Sequence, residues 1–189
     1  MSSLDSKLFV ISGPSGAGKG TLVARVRERL PELGLTVSAT TRKPRVGEVD
    51  GVNYYFLSEE EFSAKVERGE FVEWAQVHDH RYGTLVSEVK SKLADGHSLI
   101  LEIDVQGALM VKKRFPDAVL VFIEPPSLAV LEQRLVGRGT ESEESIALRL
   151  ANARHELELA DSYDVRLVND DLDAATDELA SILSTYERN

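Results

Sequence analysis

The chain has 189 residues, no cysteine, four histidines and a formal net charge of −10 at neutral pH. The lack of cysteine excludes disulfide and thiol chemistry, the scattered histidines show no zinc-binding spacing, and the negative charge argues against nucleic acid or an anionic membrane as a partner. Because no apolar run approaches the roughly 20 residues of a membrane span and the N-terminus lacks a signal-peptide pattern, we expect a cytoplasmic globular protein.

Strand and helix patterns alternate along most of the chain. Short, continuous apolar runs predict buried strands at 7–12, 98–103, 118–124 and 164–168. Helical patterns fall at about 19–30, 105–114, 127–136, 143–161 and 171–186. This alternation predicts an α/β fold with a doubly wound parallel sheet. We expect the core at 1–35 and 91–189, within a single functional domain of about 5–186.

The segment after the first strand has the composition of a phosphate-binding loop. Its residues are Gly13, Pro14, Ser15, Gly16, Ala17, Gly18, Lys19, Gly20 and Thr21. Small residues let backbone N–H groups converge on phosphate oxygens, and the N-terminus of the following helix adds a favourable dipole. The spacing from Gly13 to Lys19 predicts a nucleotide phosphate site in which the lysine charge accompanies the transferring phosphoryl group.

Position 20 departs from the usual form of this loop, which places Ser or Thr after the lysine as a magnesium ligand. Here that residue is Gly20, and Thr21 follows one place later. We therefore expect Mg²⁺ to be held mainly through water molecules, with Thr21 either assisting or contacting another phosphate.

The segment 36–90 is longer than a simple crossover between two strands requires. It carries most of the aromatic residues, and its strand-like pieces at 54–56 and 71–74 indicate a small mixed sheet. We therefore expect an inserted substrate-binding lobe between the two parts of the core.

Basic and aromatic side chains cluster in the non-helical stretch 38–56. Arg42 and Arg45 can grip a phosphate through their guanidinium groups, and the Tyr54 hydroxyl can add a third contact. This set suits the phosphate of a nucleoside monophosphate. On the pattern alone, packing of Tyr54 into a core is equally compatible.

Glu73 lies in an alternating strand pattern. One carboxylate matches the adjacent N1–H and N2–H donors of guanine, whereas adenine would leave the carboxylate unpaired. The simpler alternative is a carboxylate on the solvent-facing side of a strand. Guanine is thus the base that the sequence favours for the second substrate.

Two acids, Glu102 and Asp104, follow one another at the end of the predicted strand 98–103. The carboxyl edge of a parallel sheet is where α/β folds place their sites. Either acid could organise magnesium and its water molecules. Asp104 could instead cap the helix that follows.

A second interruption, at 137–145, places Arg138 between two glycines. We expect a short helical lid at about 137–150, with Thr140 and Glu143 forming a capping-box pattern for the next helix. In an acidic chain with a phosphate loop, the nearby arginine cluster favours anion binding over a solvated surface. Its members are Arg134, Arg138 and Arg149.

Together these motifs resemble those of the guanylate kinases. The matching segments, in the family order, are 13–21, 38–56, 71–76, 82–84, 103–107, 134–140 and 168–170. The Thr-Thr-Arg-x-Pro-Arg segment at 40–45 and the Gly-Arg-Gly-Thr segment at 137–140 are specific to the family, whereas the phosphate loop is not. The resemblance implies a doubly wound P-loop core with an inserted mixed α/β GMP-binding lobe and a short helical lid. It also implies transfer of the γ-phosphoryl group of MgATP to GMP.

The resemblance further implies roles for individual residues. Those implied to hold the GMP phosphate are Arg42, Arg45, Tyr54 and Tyr82. Those implied to contact guanine are Ser38, Glu73 and Thr84, joined by Asp104 and Glu102. Those implied to bind ATP are the residues of 13–21 with Arg134, Arg138 and Asn169, the last near the adenine. The implied catalytic residues are Lys19, Arg42, Arg138 and Arg149. Glu102 stands where some relatives have Asp, which leaves its role open between guanine and magnesium-bound water.

Two other functions fit parts of the pattern. Some guanylate-kinase-like domains are inactive protein scaffolds, but these typically lose the phosphate loop, which is intact here. A related kinase that acts on a ribose phosphate is the other alternative, against which Glu73 and Ser38 argue. The implied partners are therefore ATP and GMP, with Mg²⁺ as cofactor, in a monomer or small homo-oligomer that serves purine nucleotide metabolism.

Overall fold

The computed structural model describes residues 6–77, 79–137 and 143–188. Its strands are β1 (Leu8–Ser12), β2 (Gly34–Leu35), β3 (Ser38–Thr40), β4 (Tyr55–Phe56), β5 (Phe71–Val77), β6 (His80–Leu85), β7 (Leu99–Glu102), β8 (Val119–Glu124) and β9 (Val165–Val168). Its helices are α1 (Lys19–Arg29), α2 (Glu59–Glu67), α3 (Val86–Ala94), α4 (Val105–Arg114), α5 (Leu128–Val136), α6 (Glu143–Glu158) and α7 (Leu172–Glu187). The predicted lid residues Arg138 and Thr140 lie outside the described residues.

The core is a five-stranded parallel sheet in the order β2-β7-β1-β8-β9. Successive side chains of a strand point to opposite faces of a sheet. On one face, Phe9 and Ile11 of β1 pack in a cluster with side chains of α1 and α7. On the other, Leu8 and Val10 pack with side chains of α3 and α4. Helices thus cover both faces, and the predicted α/β fold with a doubly wound parallel sheet is confirmed.

The core elements that the sequence predicted are all present, and most of their bounds differ from the prediction by at most one residue. The exception is α6, which was predicted to reach residue 161. It ends at Glu158, and a short 3-10 turn (Ala160–Ser162) leads into β9. Among the described helices, none combines the length and the apolar character needed to cross a membrane.

The inserted segment forms a second sheet in the order β4-β3-β6-β5. Strand β3 pairs parallel with β4 and antiparallel with β6, and β5 pairs antiparallel with β6, so the predicted mixed sheet is present. The sheet has its own apolar cluster, formed by Ala39, Phe62, Phe71 and Leu85. The lobe is therefore stabilised by contacts of its own as well as by those it makes with the core.

Helices α2 and α3 of the lobe were not predicted from the sequence. Helix α2 begins with a capping box, in which the Ser58 hydroxyl accepts from the Glu61 N–H and the Glu61 carboxylate accepts from the Ser58 N–H. This Ser-x-x-Glu signature was readable in the sequence. Helix α3 follows β6 directly, with Leu85 as its N-cap and no side-chain cap, so no such signature marks its start.

The strand order determines where a ligand can bind. The chain leaves β1 for the β2 and β7 side of the sheet and later crosses to β8 on the other side. Such a switch point opens a crevice at the carboxyl ends of parallel strands. The loop 13–18 leaves β1 at this edge, and Glu102, which pairs in register with Ile11, ends β7 there.

Candidate active site

The phosphate loop adopts a backbone conformation that only glycine accommodates without strain. Gly13, Gly16 and Gly18 have φ angles of 141°, 92° and 93°, values that L side chains rarely adopt. Space excludes a side chain as well. A Cβ at Gly13 would lie 2.2 Å from the Ile123 carbonyl oxygen, and one at Gly18 would lie 2.4 Å from the Asn169 amide nitrogen. The loop is therefore fixed against β8 and the turn after β9.

Lys19 lies along the inside of this loop. Its Nζ donates to the carbonyl oxygens of Gly13 at 2.6 Å and Pro14 at 3.0 Å. Helix α1 begins at Lys19, with Gly18 as an N-cap that makes no side-chain capping bond. The first-turn N–H groups of the helix are therefore directed at the same space as the lysine ammonium, which is the arrangement that an anion requires.

Asn169 holds the loop from behind. Its side chain is only 5% exposed, and its Nδ2 donates to the Ala17 carbonyl at 2.8 Å. Arg134 donates in turn to the Asn169 carbonyl at 2.9 Å. A cavity of about 340 Å³ lies beside this contact, lined by Gly16, Gly18, Thr21, Arg134, Asn169, Asp170 and Leu172. The structure thus gives Asn169 a supporting role that the sequence did not suggest, while its role near adenine stays a prediction.

Helix α6 brings one predicted arginine to the loop. Arg149 donates from Nη1 to the Ser15 hydroxyl at 2.8 Å. Ser15 and Arg149 are therefore in contact, although the sequence separates them widely. The other lid arginine, Arg138, lies outside the described residues, so its predicted position over the phosphates stays a prediction.

The predicted monophosphate site is built around Arg42. Its guanidinium forms a bidentate ion pair with Glu48, at 2.9 Å from Nη1 and 2.8 Å from Nη2. Hydrogen bonds from Arg42 and from the Arg45 backbone N–H lower the pKa of Glu48 to about 2, so this carboxylate is ionised at neutral pH. Glu48 was not among the site residues predicted from the sequence, although an acid three residues after Arg45 is the signal that indicates such a pair.

Aromatic rings surround the same guanidinium. The Arg42 Cζ lies 5.3 Å from the ring centroid of Tyr54 and 5.8 Å from that of Phe56, within the range of cation–π attraction. The Tyr54 ring also contacts the Tyr82 ring edge-on, with 6.1 Å between centroids. Arg45 lies on the same loop with an exposed side chain. The structure therefore brings the Arg42, Tyr54 and Tyr82 side chains together, and Tyr54 is not buried in a core.

Three of the five residues predicted to contact the base lie in a row across neighbouring strands. Ser38 on β3 pairs in register with Thr84 on β6, and Thr84 pairs with Glu73 on β5. The Thr84 hydroxyl donates to the Glu73 carboxylate at 2.8 Å. Adjacent strands lie about 4.8 Å apart, so the row spans roughly 10 Å, which is long enough to accommodate a purine.

Burial acts on Glu73 more strongly than its hydrogen bond does. Desolvation raises the pKa of this carboxyl group, the hydrogen bond from Thr84 partly offsets that effect, and the charge of Asp104 adds to it. A carboxylate held in this way gains from a ligand that brings two N–H donors. The alternative of a solvent-facing carboxylate on a strand does not describe this environment.

The two acids at the end of β7 differ in what they contact. The Asp104 carboxylate caps α4 by accepting from the Gly107 N–H at 2.7 Å, as the helix-cap alternative predicted. Glu102 faces the phosphate loop, because a Cβ at Gly20 would lie 3.6 Å from its nearer oxygen. Desolvation raises the pKa of Glu102, and the charge of Lys19 opposes the rise. The Asp104 carboxylate is therefore turned to helix α4, whereas the Glu102 carboxylate is turned to the phosphate loop.

Comparison with known proteins gives one consistent family. The guanylate kinase family model matches residues 5–186. The chain is 51% identical to a guanylate kinase of Caldanaerobacter subterraneus subsp. tengcongensis, over 93% of this chain and 85% of the relative. It is 48% identical to a guanylate kinase of Synechocystis sp., over 98% and 97% of the two chains. Its structure resembles the crystal structure of guanylate kinase from Anaplasma phagocytophilum, with a TM-score of 0.70, 30% identity, and coverage of 97% and 87%.

The capping contact of Asp104 can be separated from its charge. Asp104→Ala removes the oxygen that accepts from Gly107 and should lower the free energy of unfolding by about 1 kcal/mol, whereas Asp104→Asn keeps an acceptor and should lie close to the wild type. Urea unfolding measures both, with Asp171→Ala, which removes the cap of α7, as a matched control. Equal stability of Asp104→Ala and the wild type would refute the capping role.

The raised pKa of Glu73 predicts a pH-dependent effect of its replacement. A carboxyl group whose pKa is raised on folding stabilises the fold below its unfolded pKa and loses that contribution as pH rises through the folded pKa. Glu73→Gln should therefore gain stability relative to the wild type at pH 7, and the gain should shrink towards pH 4. Urea unfolding at both pH values tests this.

The control for this measurement is Glu70→Gln. Ion pairs with Arg68 and Lys65 lower the pKa of Glu70 to about 2, so its replacement should lose stability at pH 7. A Glu73→Gln difference that stays constant between pH 4 and pH 7 contradicts the assignment of a desolvated carboxylate.

Proposed function

Because the chain belongs to the guanylate kinase family, it transfers the γ-phosphoryl group of ATP to GMP, and we propose how its residues divide this reaction between two nucleotide sites. The observation that carries the proposal is that two groups of basic side chains, at the loop 13–21 and around Arg42, occur together with a row of polar side chains across the lobe sheet. We propose the loop as the donor site and the surroundings of Arg42 as the acceptor site. The row Ser38, Thr84 and Glu73 extends from the acceptor site.

In this reaction an oxygen of the GMP phosphate attacks the γ-phosphorus of ATP. A new P–O bond forms GDP while the bond between the γ-phosphorus and the β,γ-bridging oxygen breaks, and ADP leaves with those electrons. The attacking oxygen is already anionic, so the step requires no strong general base. Catalysis consists of aligning the two phosphates and neutralising the charge that spreads over the transferring group.

The donor site would hold the ATP phosphates through the N–H groups of the loop and the first turn of α1. Lys19 now donates to two loop carbonyls, and we propose that it turns from them to the β- and γ-phosphates. Arg149 is already at the loop through Ser15. Thr21 and Arg134 line the adjoining cavity. Arg138 would complete this set from the lid.

The acceptor site would bind GMP at both ends. Arg42, Arg45, Tyr54 and Tyr82 would hold the phosphate, and a phosphate arriving at Arg42 would share or replace its contact with Glu48. At the other end, the Glu73 carboxylate would accept from the N1–H and N2–H groups of guanine. The residues beside it are Ser38, Thr84 and Asp104. A base that lacks this pair of donors would leave Glu73 desolvated and unpaired.

We propose Mg²⁺ as the cofactor, bound mainly through ATP and water. Among the described residues, no group of three or more His, Cys, Asp or Glu side chains could hold a metal ion. The Glu102 carboxylate beside Gly20 fits an ion of this kind, because Mg²⁺ keeps several water molecules and takes one or two carboxylates. Thr21 is a second candidate, and Asp104 a weaker one because it caps α4. When bound, the ion neutralises charge on the phosphates.

We also propose that the lobe and the lid close over the two nucleotides, because arginines from separate segments must meet one phosphoryl group. Closure would exclude water, which otherwise accepts the phosphoryl group in place of GMP. The enzyme would act in the cytoplasm, where ATP is regenerated, as a monomer or small homo-oligomer.

The role of Glu73 is tested by comparing acceptors. ADP release with GMP, AMP, CMP, UMP and ribose 1,5-bisphosphate should show turnover with GMP far above the others. Glu73→Ala should lower kcat/KM for GMP on the order of 10²-fold or more, because the desolvated partner of the guanine donors is lost. Glu60→Ala, on the surface of the same lobe, serves as a control that should match the wild type. An unchanged preference for GMP in Glu73→Ala would remove Glu73 from the base site.

The role of Lys19 is tested by separating chemistry from GMP binding. Lys19→Met should lower kcat on the order of 10²–10³-fold, because it removes a charge from the transferring group. GMP affinity should stay within about two-fold of the wild type. Isothermal titration calorimetry with GMP alone measures this affinity directly. Loss of GMP binding in Lys19→Met would contradict the division into two sites.

A further inference from the structure

Glu88 is a buried carboxylate that the reaction as described above does not use. It lies in the first turn of α3 and is 8% exposed. One oxygen accepts from the Val37 backbone N–H at 3.0 Å and lies 2.8 Å from the Lys92 ammonium. The other oxygen accepts from the Tyr55 hydroxyl at 2.8 Å. Both oxygens of the carboxylate are therefore engaged by other groups.

These contacts keep Glu88 charged in spite of its burial. Desolvation tends to raise the pKa of this group, but the hydrogen bonds from Lys92, Val37 and Tyr55 outweigh it and leave the pKa below the ordinary value. The hydrogen bond between Glu88 and Tyr55 also raises the pKa of the Tyr55 hydroxyl. The Tyr55 hydroxyl therefore donates to an ionised carboxylate at neutral pH, which is a stronger hydrogen bond than one between neutral groups.

Tyr55 begins β4 and directly follows Tyr54, which is an acceptor-site residue in the proposal above. Successive residues of a strand point to opposite faces, so Tyr54 and Phe56 lie together around Arg42 while Tyr55 points away from them. Tyr55 packs instead against the apolar cluster of the lobe. A slip of one residue would exchange the two faces and remove Tyr54 from the phosphate site.

Strand β4 is short and lies at the edge of its sheet. Among the described strands it pairs with β3, through Ala39 with Tyr55 and Thr40 with Phe56. Its other backbone contacts are local: the Phe56 N–H donates to the Asp50 carboxylate at 2.8 Å, and the Tyr54 carbonyl accepts from the Gly51 N–H at 2.8 Å. An edge strand this short gains little from its ladder of hydrogen bonds. An anchor on the face opposite the phosphate would fix it without occupying the site.

Glu88 also lies where the lobe joins the core. Val37 is on the segment that leaves β2 of the core for β3 of the lobe, and α3 is the element by which the chain returns. Lys92, one turn after Glu88, donates to the Leu35 carbonyl of β2 at 2.7 Å. Glu88, which binds Tyr55, therefore belongs to one of the two connections between the lobe and the core and contacts the other through Val37.

We propose that Glu88 is a positioning residue for the acceptor phosphate: through Tyr55 it holds β4 in the register that places Tyr54 beside Arg42. The inference rests on the proposed role of Tyr54 in binding the GMP phosphate. Glu88 itself touches no reacting group, so its effect is on GMP binding and reaches the donor site only weakly.

The test measures KM for each substrate separately. Tyr55→Phe, which removes one oxygen and keeps the ring, and Glu88→Gln should each raise KM for GMP by about five-fold, with kcat and KM for ATP within about two-fold of the wild type. The double variant should raise KM for GMP by no more than about ten-fold, short of the product of the single effects, because both changes break the same contact. Glu88→Gln also weakens the contact with Val37, so the double variant can exceed Tyr55→Phe alone.

Two further variants complete the design. Glu70→Gln, the same change at a paired carboxylate on the outside of the lobe, should leave both KM values unchanged. Tyr54→Phe tests the premise and should raise KM for GMP by itself. If it does not, the role of Tyr54 falls, and the inference about Glu88 falls with it.

If Tyr54→Phe raises KM for GMP but Tyr55→Phe and Glu88→Gln do not, only the inference about Glu88 is overturned. A lowered melting temperature with unchanged KM for GMP overturns it too, as does an equal rise in both KM values. If Glu88→Gln does not fold, Tyr55→Phe decides alone, because it leaves the Glu88 contacts to Val37 and Lys92 in place.

Discussion

The close packing of the phosphate loop is the constraint on which the rest of the site depends. At Gly13 and Gly18 the backbone approaches Ile123 and Asn169 so closely that no side chain fits. This contact fixes the direction of the first turn of α1 and hence the position of Lys19. In the proposed donor site the loop amides would therefore need little rearrangement to meet the phosphates, whereas Lys19 would have to turn; dipoles fixed in this way lower a barrier effectively. The acceptor lobe has a backbone constraint of its own at Gly83, between Tyr82 and Thr84, where a Cβ would lie 2.7 Å from the Glu73 carbonyl oxygen. The surroundings of Arg42 depend more on side-chain contacts.

An acidic chain that binds two anions must hold its cations in place before the anions arrive. Arg42 is held by the Glu48 carboxylate, and Lys19 by the carbonyls of Gly13 and Pro14. Each of these partners is an oxygen acceptor, as a phosphate is, so under the proposed roles substrate binding would exchange one oxygen partner for another. The net gain from each exchange is smaller than that of a bare ion pair, but the cations are already oriented. The acids near the site thus serve orientation as well as chemistry.

The parts of the structure that local pattern controls were predictable from the sequence. The strand Leu8–Ser12 and the helix Val105–Arg114 carry apolar residues in patterns that can be recognised from the local sequence. The contact between Arg42 and Tyr54 was also predictable, because both residues fall in one stretch. Helix α3 was not, because it begins without a capping side chain directly after a strand.

Contacts between distant residues were beyond the reach of sequence pattern. Nothing in the pattern indicates that Asn169 supports the loop at Ala17, or that Tyr55 binds Glu88, because each contact exists only after the sheets have formed. The assignment of Glu102 to the loop side and of Asp104 to the helix cap depends likewise on side-chain direction at the end of a strand. Glu48 is an intermediate case: it is close to Arg42 in sequence, but the pairing requires the turn at Gly47, whose φ is 87°.

The contact between Val37 and Glu88 also has a consequence for the connectivity of the fold. It brings together the two points at which the lobe leaves and rejoins the core, so the folded lobe presents its ends side by side. The entropy lost in closing a loop depends on the chain between its ends that is still free. Once the lobe has folded, the entropy lost when β1 pairs with β7 is therefore that of a short connection, although the inserted segment is long. Residues added to its outer loops would lengthen the chain without raising the entropic cost of assembling the core sheet.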